Sequence, residues 1–305
     1  MTDDERHIVV ATDEAFAMPT AVTLRSIALH GGGSATVTVL HDSVGESIRD
    51  RIARSIPDQH LTLRWVDVGD FDVRSTGTTH LSNATYFRLK AVAAVPEGVS
   101  RVVYLDTDIV VRHDLGPLFE LDLAPHAIAA VQSVHYPFIA TRGANNHWQE
   151  LGLDPRAPFF NAGVLVIDVD TWRHDDIEHR ALAHLRSPHC GKGADQEALN
   201  VAVSGAWHQL DPIWNQQTPL LDDTHGVHLI HADDQIEQAR SDPAVVHFQT
   251  RPKPWQHGSS HPFDDLWWSI ARDTAFAPIE VERPSLLDEA RWRAKRAASA
   301  LVKGR

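Results

Sequence analysis

The first seventy residues alternate strand and helix signatures, and no other feature limits the fold as much. His7-Ile8-Val9-Val10-Ala11 is a β-branched run, followed by a turn through Thr12-Asp13-Glu14. A helix comes next: Pro19 suits its first turn, Val22, Leu24, Ile27 and Ala28 supply apolar positions, and Gly31-Gly32-Gly33 end it. A second β-rich run over residues 35–40, a helix near 44–55 and a third strand over 61–66 complete a β-α-β-α-β series. Such alternation builds a parallel, doubly wound α/β sheet. Nucleotides bind these sheets at the carboxyl ends of the strands, where Thr12, Asp13 and Glu14 fall.

Residues 83–95 read as one helix, with Tyr86, Leu89, Val92 and Ala93 on one face, Arg88 and Lys90 leaving it, and Pro96 and Gly98 stopping it. The apolar strand Val102-Val103-Tyr104-Leu105 then runs directly into Asp106-Thr107-Asp108, after which Ile109-Val110-Val111 resumes as β. Two aspartates one residue apart at the end of a buried strand repel each other unless a cation or hydrogen-bond donors compensate. Hard divalent ions such as Mg²⁺ and Mn²⁺ choose carboxylate oxygens and bridge to diphosphates. An Asp-turn that caps the strand is the competing reading of a bare D-x-D.

Charge bears on the same point. There are 28 Lys and Arg against 41 Asp and Glu, a net charge of −13, and residues 291–305 hold six basic and no acidic residues. The remaining body is therefore more acidic still. That excludes the footprint of a general nucleic-acid binder, and it requires a mediating cation if the ligand is phosphorylated.

Segment by segment, the chain resembles the family-8 glycosyltransferases, which include bacterial lipopolysaccharide galactosyl- and glucosyltransferases and glycogenin. Tyr104-Leu105-Asp106-Thr107-Asp108-Ile109-Val110-Val111 is similar to their metal-binding D-x-D segment. In the same order come Tyr86-Phe87-Arg88-Leu89-Lys90, Phe159-Phe160-Asn161-Ala162-Gly163-Val164-Leu165, Asp195-Gln196-Glu197, Trp214-Asn215, and His247 followed by Lys253-Pro254-Trp255. The likeness spans roughly residues 7–256. It implies a GT-A fold, a single domain over residues 1–280 around a Rossmann-like mixed sheet flanked by helices, and transfer of a hexose from a UDP-sugar with retention, usually with Mn²⁺ and with Mg²⁺ as a substitute.

The resemblance also implies roles. Asp106, Asp108 and His247 would hold the metal, and Lys253, one of five lysines, would neutralise the diphosphate leaving group. Arg88, Asp106, Asn161, Asp195 and Gln196 would line the sugar pocket. Ala11 and Asp13 would contact the uracil and ribose, and Phe16 stands where an aromatic ring stacks on the base. Asp195 and Gln196 would serve as nucleophile or stabiliser, although in a front-face route the departing phosphate oxygen takes the acceptor proton and no separate base is needed. Several of these residues carry plainer readings too: Asp195 as the N-cap of a helix over 196–203, Phe16 as core, and Asn161 in a turn. Thr250 departs from the family motif H-x-x-G-x-x-K-P-W, and its side chain crowds the phosphate position.

Residues 134–158 carry Tyr136, Pro137, Phe138, Asn145, Asn146, His147 and Trp148 in a loop-like setting, read either as the acceptor side or as a loop packed on itself. His225, His228 and His231 recur every third residue, and no carboxylate partner is evident that would make them a second metal site. Residues 281–305 read as a basic amphipathic helix, either solvated or in weak contact with an anionic membrane where lipid-linked acceptors reside. Pro125, Gln132, Ser133, His135 and Pro137 break the uncharged stretch 123–141, so no membrane span is expected. The acidic start and the lone Cys190 fit a cytoplasmic protein. The expected function is metal-dependent hexosyl transfer to a glycan, lipopolysaccharide or other hydroxyl acceptor. Competing with it are a nucleotide-sugar hydrolase and a non-catalytic sugar-nucleotide or glycan-binding protein.

Overall fold

The structure, a computed structural model, describes residues 6–57, 60–69, 84–191, 193–223 and 226–282. The expected opening is present: β1 (Arg6–Thr12), α1 (Ala17–His30), β2 (Ala35–His41), α2 (Glu46–Ala53) and β3 (Leu61–Asp67). Next come α3 (Ala84–Phe87), α4 (Ala91–Ala94), β4 (Arg101–Leu105), β5 (Ile109–Val111), α5 (Gly116–Phe119), β6 (Ile128–Gln132) and β7 (Phe160–Asp168). The remainder is α6 (Val169–His174), α7 (Ile177–Leu185), α8 (Ala194–Val203), β8 (His208–Gln209), β9 (Gln216–Gln217), α9 (Asp233–Ser241), β10 (Val245–His247) and α10 (Asp264–Ala271). The C-terminal helix expected over 281–305 lies outside the described residues beyond Glu282.

The main sheet has the order β3-β2-β1-β4-β7-β6-β8. β3, β2, β1 and β4 run parallel, whereas β7 is antiparallel to β4 and β6, so the parallel doubly wound arrangement holds for the first half and the whole sheet is mixed. Strand alternation splits the core. Val9, Tyr104 and Leu165 face a cluster shared with α4, α7 and α8, while Val10, Leu105 and Val164 face one shared with α1 and α5.

A second sheet, β5-β10-β9, sits beyond the carboxyl end of β4. α1 lies between the two sheets, which is why it buries Ala21, Leu24 and Ile27 toward one and Val22 toward the other. It also completes the free edge of β5: Thr23 Oγ1 donates to Ile109 O at 2.7 Å, and Val111 N donates to Ser26 Oγ at 3.0 Å. Buried backbone groups need such partners, and here side chains of a helix supply them.

The single helix read over 83–95 is broken. A 3-10 turn, Arg88–Lys90, separates α3 from α4, Ala93 is exposed, and Arg88 is buried instead of leaving the core face. Asn83 lies outside the described residues. The physical reason is an ion network: Arg88 turns inward because buried carboxylates receive it, as described next.

Candidate active site

The chain between β4 and β5 crosses from one sheet to the other, and Asp106-Thr107-Asp108 is that crossing. Thr107 is buried between them, and its hydroxyl donates to Ala11 O at 3.3 Å. The aspartates stay on the cleft side. His247 reaches them through register: β10 pairs antiparallel with β5 so that His247 stands opposite Ile109, and Phe248 N donates to Asp108 O at 3.0 Å. His247 Nε2 lies 3.2 Å from Asp108 Oδ1 and 3.8 Å from Asp106 Oδ2. One ligand atom from each of the three residues falls within 4.8 Å of the others, so the group could hold a metal ion.

Neighbours fix the imidazole. Asn215 Oδ1 sits 2.9 Å from His247 Nδ1, which leaves Nε2 facing the acid pair, and Asn215 Nδ2 donates to Asn161 Oδ1 at 2.9 Å. Metal-binding histidines are commonly held this way through the second ring nitrogen. Gly163 leaves room for the ring: a Cβ there would lie 2.2 Å from His247 Cε1.

Cations surround the acids. Arg88 bonds Asp106 Oδ1 at 2.9 Å and Asp195 Oδ2 at 2.6 Å, donates to Ala162 O at 2.6 Å, and lies 5.1 Å from the centre of the Tyr104 ring. Burial opposes its charge, yet Asp106 and Asp195 outweigh burial and hold the guanidinium protonated more firmly than in water. Tyr104 also donates to Asp106 Oδ1 at 3.0 Å. Lys253 Nζ donates to Asp108 Oδ2 at 2.6 Å and to Phe248 O at 2.5 Å. Burial alone would raise the Asp108 carboxyl; Lys253 and then His247 reverse that and push it well below the usual range. Asp195 behaves in the opposite way, since burial, with Asp106 adding to it, outweighs Arg88 and raises its pKa to about 6.

Asp195 is the second residue of α8, so it is not the N-cap considered from sequence; Gly193 takes that place. Gln196 Oε1 accepts from Ala162 N at 3.0 Å. That amide is free because the pairing of β6 with β7 shifts between Ala130 and Val131, a bulge of the sort that re-aims groups beside active sites. Asn161 Oδ1 accepts from Gly163 N, and Asn161 Nδ2 donates to Gln249 Oε1 at 3.0 Å.

Two hollows meet at Arg88, Asp106 and Asp108. The first, about 140 Å³, is lined by Ala11, Phe16, Thr85 and Tyr104 among others. The second, about 460 Å³, takes in Asn161, Asp195, Gln196, His247, Tyr136 and Thr250. Asp13 does not line either; its carboxylate accepts from Phe16 N at 2.8 Å and shapes the turn after β1. Phe16 is half-buried and meets Trp255 edge-on at 6.1 Å, so it serves the core and the hollow together.

In the 134–158 segment, Tyr136 with His135 and Ser133 lines the larger hollow, whereas Trp148 and Tyr136 pack on a local cluster around Ile139 and Phe159. Asn145 turns away to bond Glu197 at 3.0 Å. His228 has two carboxylate partners unseen in the sequence, Asp223 at 3.3 Å and Asp233 at 2.8 Å, and these with His231 form no metal-ligating group among the described residues. His225 lies outside them. Sequence reasoning assigned no role to Asn215 or Tyr104, although both stood inside the matched segments. It missed Gln249 and Thr85 entirely, and nothing in their spacing points to them.

A mixed sheet with an acid pair on the crossing from β4 to a small second sheet is the GT-A fold. The chain belongs to glycosyl transferase family 8, whose profile matches residues 7–258. It is 28% identical over 293 residues to glycosyltransferase GlyF of Streptococcus pneumoniae, covering 92% of this chain and 65% of that protein. It is 22% identical over 302 residues to the lipopolysaccharide 1,3-galactosyltransferase of Salmonella typhimurium, covering 96% of this chain and 85% of that one. General stress protein A of Bacillus subtilis is 28% identical over 207 residues, 66% of this chain and 69% of its own length. The chain thus spans about two thirds of GlyF and of General stress protein A. Among solved structures, galactosyltransferase LgtC in complex with donor and acceptor sugar analogs superposes with a TM-score of 0.72 at 24% identity over 89% of this chain and 97% of that one. At that identity the likeness speaks for the fold. No helix among the described residues is long and apolar enough to cross a membrane.

Proposed function

We propose that this glycosyltransferase moves a hexose from a UDP-sugar, UDP-galactose or UDP-glucose first, to a hydroxyl of a glycan, lipopolysaccharide or lipid-linked acceptor, with retention of configuration and dependence on a divalent ion. The observation that carries this reading is the convergence of Asp106, Asp108 and His247 at the junction of the two hollows. Two carboxylates and an imidazole suit Mn²⁺, or Mg²⁺, better than Ca²⁺. An ion bound there supplies Lewis-acid stabilisation of the diphosphate leaving group.

The chain's own residues do the rest. Ala11 and Phe16, which line the smaller hollow, hold the base and ribose at the ends of the parallel strands, where such sheets bind nucleotides, and Asp13 shapes the turn that presents Phe16. Lys253, once freed from Asp108, presents its ammonium to the diphosphate as negative charge develops there. Arg88, Asp106 and Asn161 hold donor hydroxyls. Asp195 and Gln196 stand beside the sugar pocket, where a carboxylate and an amide stabilise positive charge on an oxocarbenium-like sugar. In front-face attack the leaving phosphate oxygen accepts the acceptor's proton, so the site needs no further base. The likeness to the lipopolysaccharide 1,3-galactosyltransferase supports this acceptor class.

Calorimetric titration with UDP in the presence of Mn²⁺ tests the reading. Binding is expected for the wild type and lost in Asp106→Ala and Asp108→Ala; equal binding in all three overturns it. A panel of UDP-, GDP- and ADP-sugars then identifies the donor. Rapid sugar release that acceptors do not stimulate would make the protein a hydrolase.

A further inference from the structure

We propose that His184, Cys190 and Glu197 form a second metal centre, apart from the donor cleft, for a borderline-soft divalent ion of the zinc class. His184 belongs to the last turn of α7, Glu197 to the first turn of α8, and Cys190 to the loop between them. One donor atom from each falls within 4.8 Å of the others. The nitrogen, sulfur and oxygen set differs from the oxygen-rich group in the cleft, and thiolate plus imidazole is the choice of zinc over magnesium.

Charge gives the first reason to expect an ion. Glu197 is fully buried, at 0% exposure. Its carboxylate accepts from Gly191 N, from Asn145 Nδ2 at 3.0 Å, and meets His184 Nε2 at 3.2 Å. Among the described residues no lysine or arginine reaches it. A buried carboxylate costs several kcal/mol unless a positive charge pairs with it. Lys192 lies outside the described residues, and among those only His184 or a bound metal ion could supply that charge.

Geometry gives the second. Two donors on one tetrahedral zinc ion stand about 3.3 Å apart, and His184 Nε2 is 3.2 Å from Glu197 Oε1. An ion between them replaces the proton they share. On coordination the Cys190 thiol would release its proton to solvent. Water completes the coordination on the half-exposed side of Cys190. The centre would tie α7, the loop and the first turn of α8 together, and so fix the turn that carries Asp195 and Gln196.

Cobalt is the probe, because a thiolate ligand gives Co²⁺ an intense near-ultraviolet charge-transfer absorption that carboxylates and imidazoles do not. Cys190 is the only cysteine, so the band has one source. Chelator-stripped full-length protein titrated with Co²⁺ should develop the band, saturating at one equivalent once the cleft site is disabled. Asp108→Asn, which disables the cleft site, should keep the band, and Cys190→Ser should lose it. No band in the wild type, or one surviving in Cys190→Ser, overturns the proposal and leaves His184 simply hydrogen-bonded to Glu197. Zinc should also slow labelling of Cys190 by a thiol reagent in the wild type roughly tenfold or more, and an unchanged rate overturns the proposal even if the serine variant does not fold. Neither readout requires glycosyl transfer, so the centre stands or falls independently of the proposed reaction.

Discussion

Two groups of buried acid and imidazole lie in this molecule, and they are compensated in opposite ways. At the cleft, Arg88 holds Asp106 and Lys253 holds Asp108, so permanent cations already balance both carboxylates. Beneath the first turn of α8, Glu197 meets, among the described residues, only an amide, a backbone N–H and His184. The first group faces a hollow, with Asp106 and Asp108 retaining 20% and 14% side-chain exposure; in the second, Glu197 retains 1%. Under the proposals above, the first site would exchange its counter-charges during a cycle, whereas the second would need a counter-charge simply to be folded. Cations that can be displaced belong where ligands come and go. A closed pocket has no such traffic, and its charge must be settled once.

The comparison breaks most readily at Asp108. Asp108→Asn removes a ligand and the partner of Lys253 together, and transfer, read as kcat/KM for the donor, should fall roughly a thousandfold, as expected when several kcal/mol of leaving-group stabilisation is lost. The melting temperature should also fall, because asparagine keeps the shape but leaves the buried Lys253 ammonium without its counter-charge. A loss below tenfold would mean that the acid pair is structural. Gly163→Ala tests the same site from its back wall. The added methyl would meet His247 Cε1 at 2.2 Å and Nδ1 at 2.7 Å, so the ring must tilt off Asn215. Misplacing a ligand's support should weaken Mn²⁺ binding about 10- to 100-fold by calorimetry, with the His184 group untouched.

Much of the cleft could be read in the sequence because local rules produce it. A strand that ends in D-x-D puts two acids on one side by alternation, and the β-α-β-α-β series puts that end beside the turn after β1. What could not be read depends on long-range register. Nothing near residue 247 announces that β10 pairs with β5 rather than joining the main sheet, yet that pairing brings His247 to Asp108. Arg88 was misread for a related reason. On a helical wheel an arginine belongs to solvent, and only the acids delivered by β4 and α8 make an inward turn favourable, at the cost of a broken helix. Glu197 stood inside a matched segment without a role, since its partners Asn145 and Gly191 arrive from loops that carry no periodic signal.

Asp195 gives the comparison a pH axis. Burial and Asp106 outweigh Arg88 and lift it from an ordinary 3.8 to about 6. Its folded value lies above its unfolded one, so between about pH 4 and pH 6 the native state binds the extra proton. Folding stability then decreases as the pH rises through that window and levels off above it, by on the order of 3 kcal/mol. Metal-free protein unfolded in denaturant at a series of pH values should show this slope, and Asp195→Asn should flatten it. A slope of the opposite sign would mean that Arg88 governs the carboxylate after all.

Lys253 sharpens the comparison with the smallest effect and the most telling sign. Its ammonium sits on Asp108 Oδ2 and is anchored by Phe248 O. A metal ion held by Asp108 would compete with it for the carboxylate. Lys253→Met keeps the stem and deletes the charge, leaving Asp108 and Asp106 to repel each other in a partly desolvated site. Mn²⁺ alone should bind this variant more tightly than wild type, on the order of tenfold, because the competing cation is gone and the repulsion is relieved on binding. UDP in saturating Mn²⁺ should bind more weakly, because the ammonium that would meet the diphosphate is missing. The two affinities must move in opposite directions. If both weaken, Lys253 only holds Asp108 in place; if neither moves, the ammonium leaves the cleft during the cycle, and the contrast between displaceable and settled counter-charge fails at the residue on which it rests most.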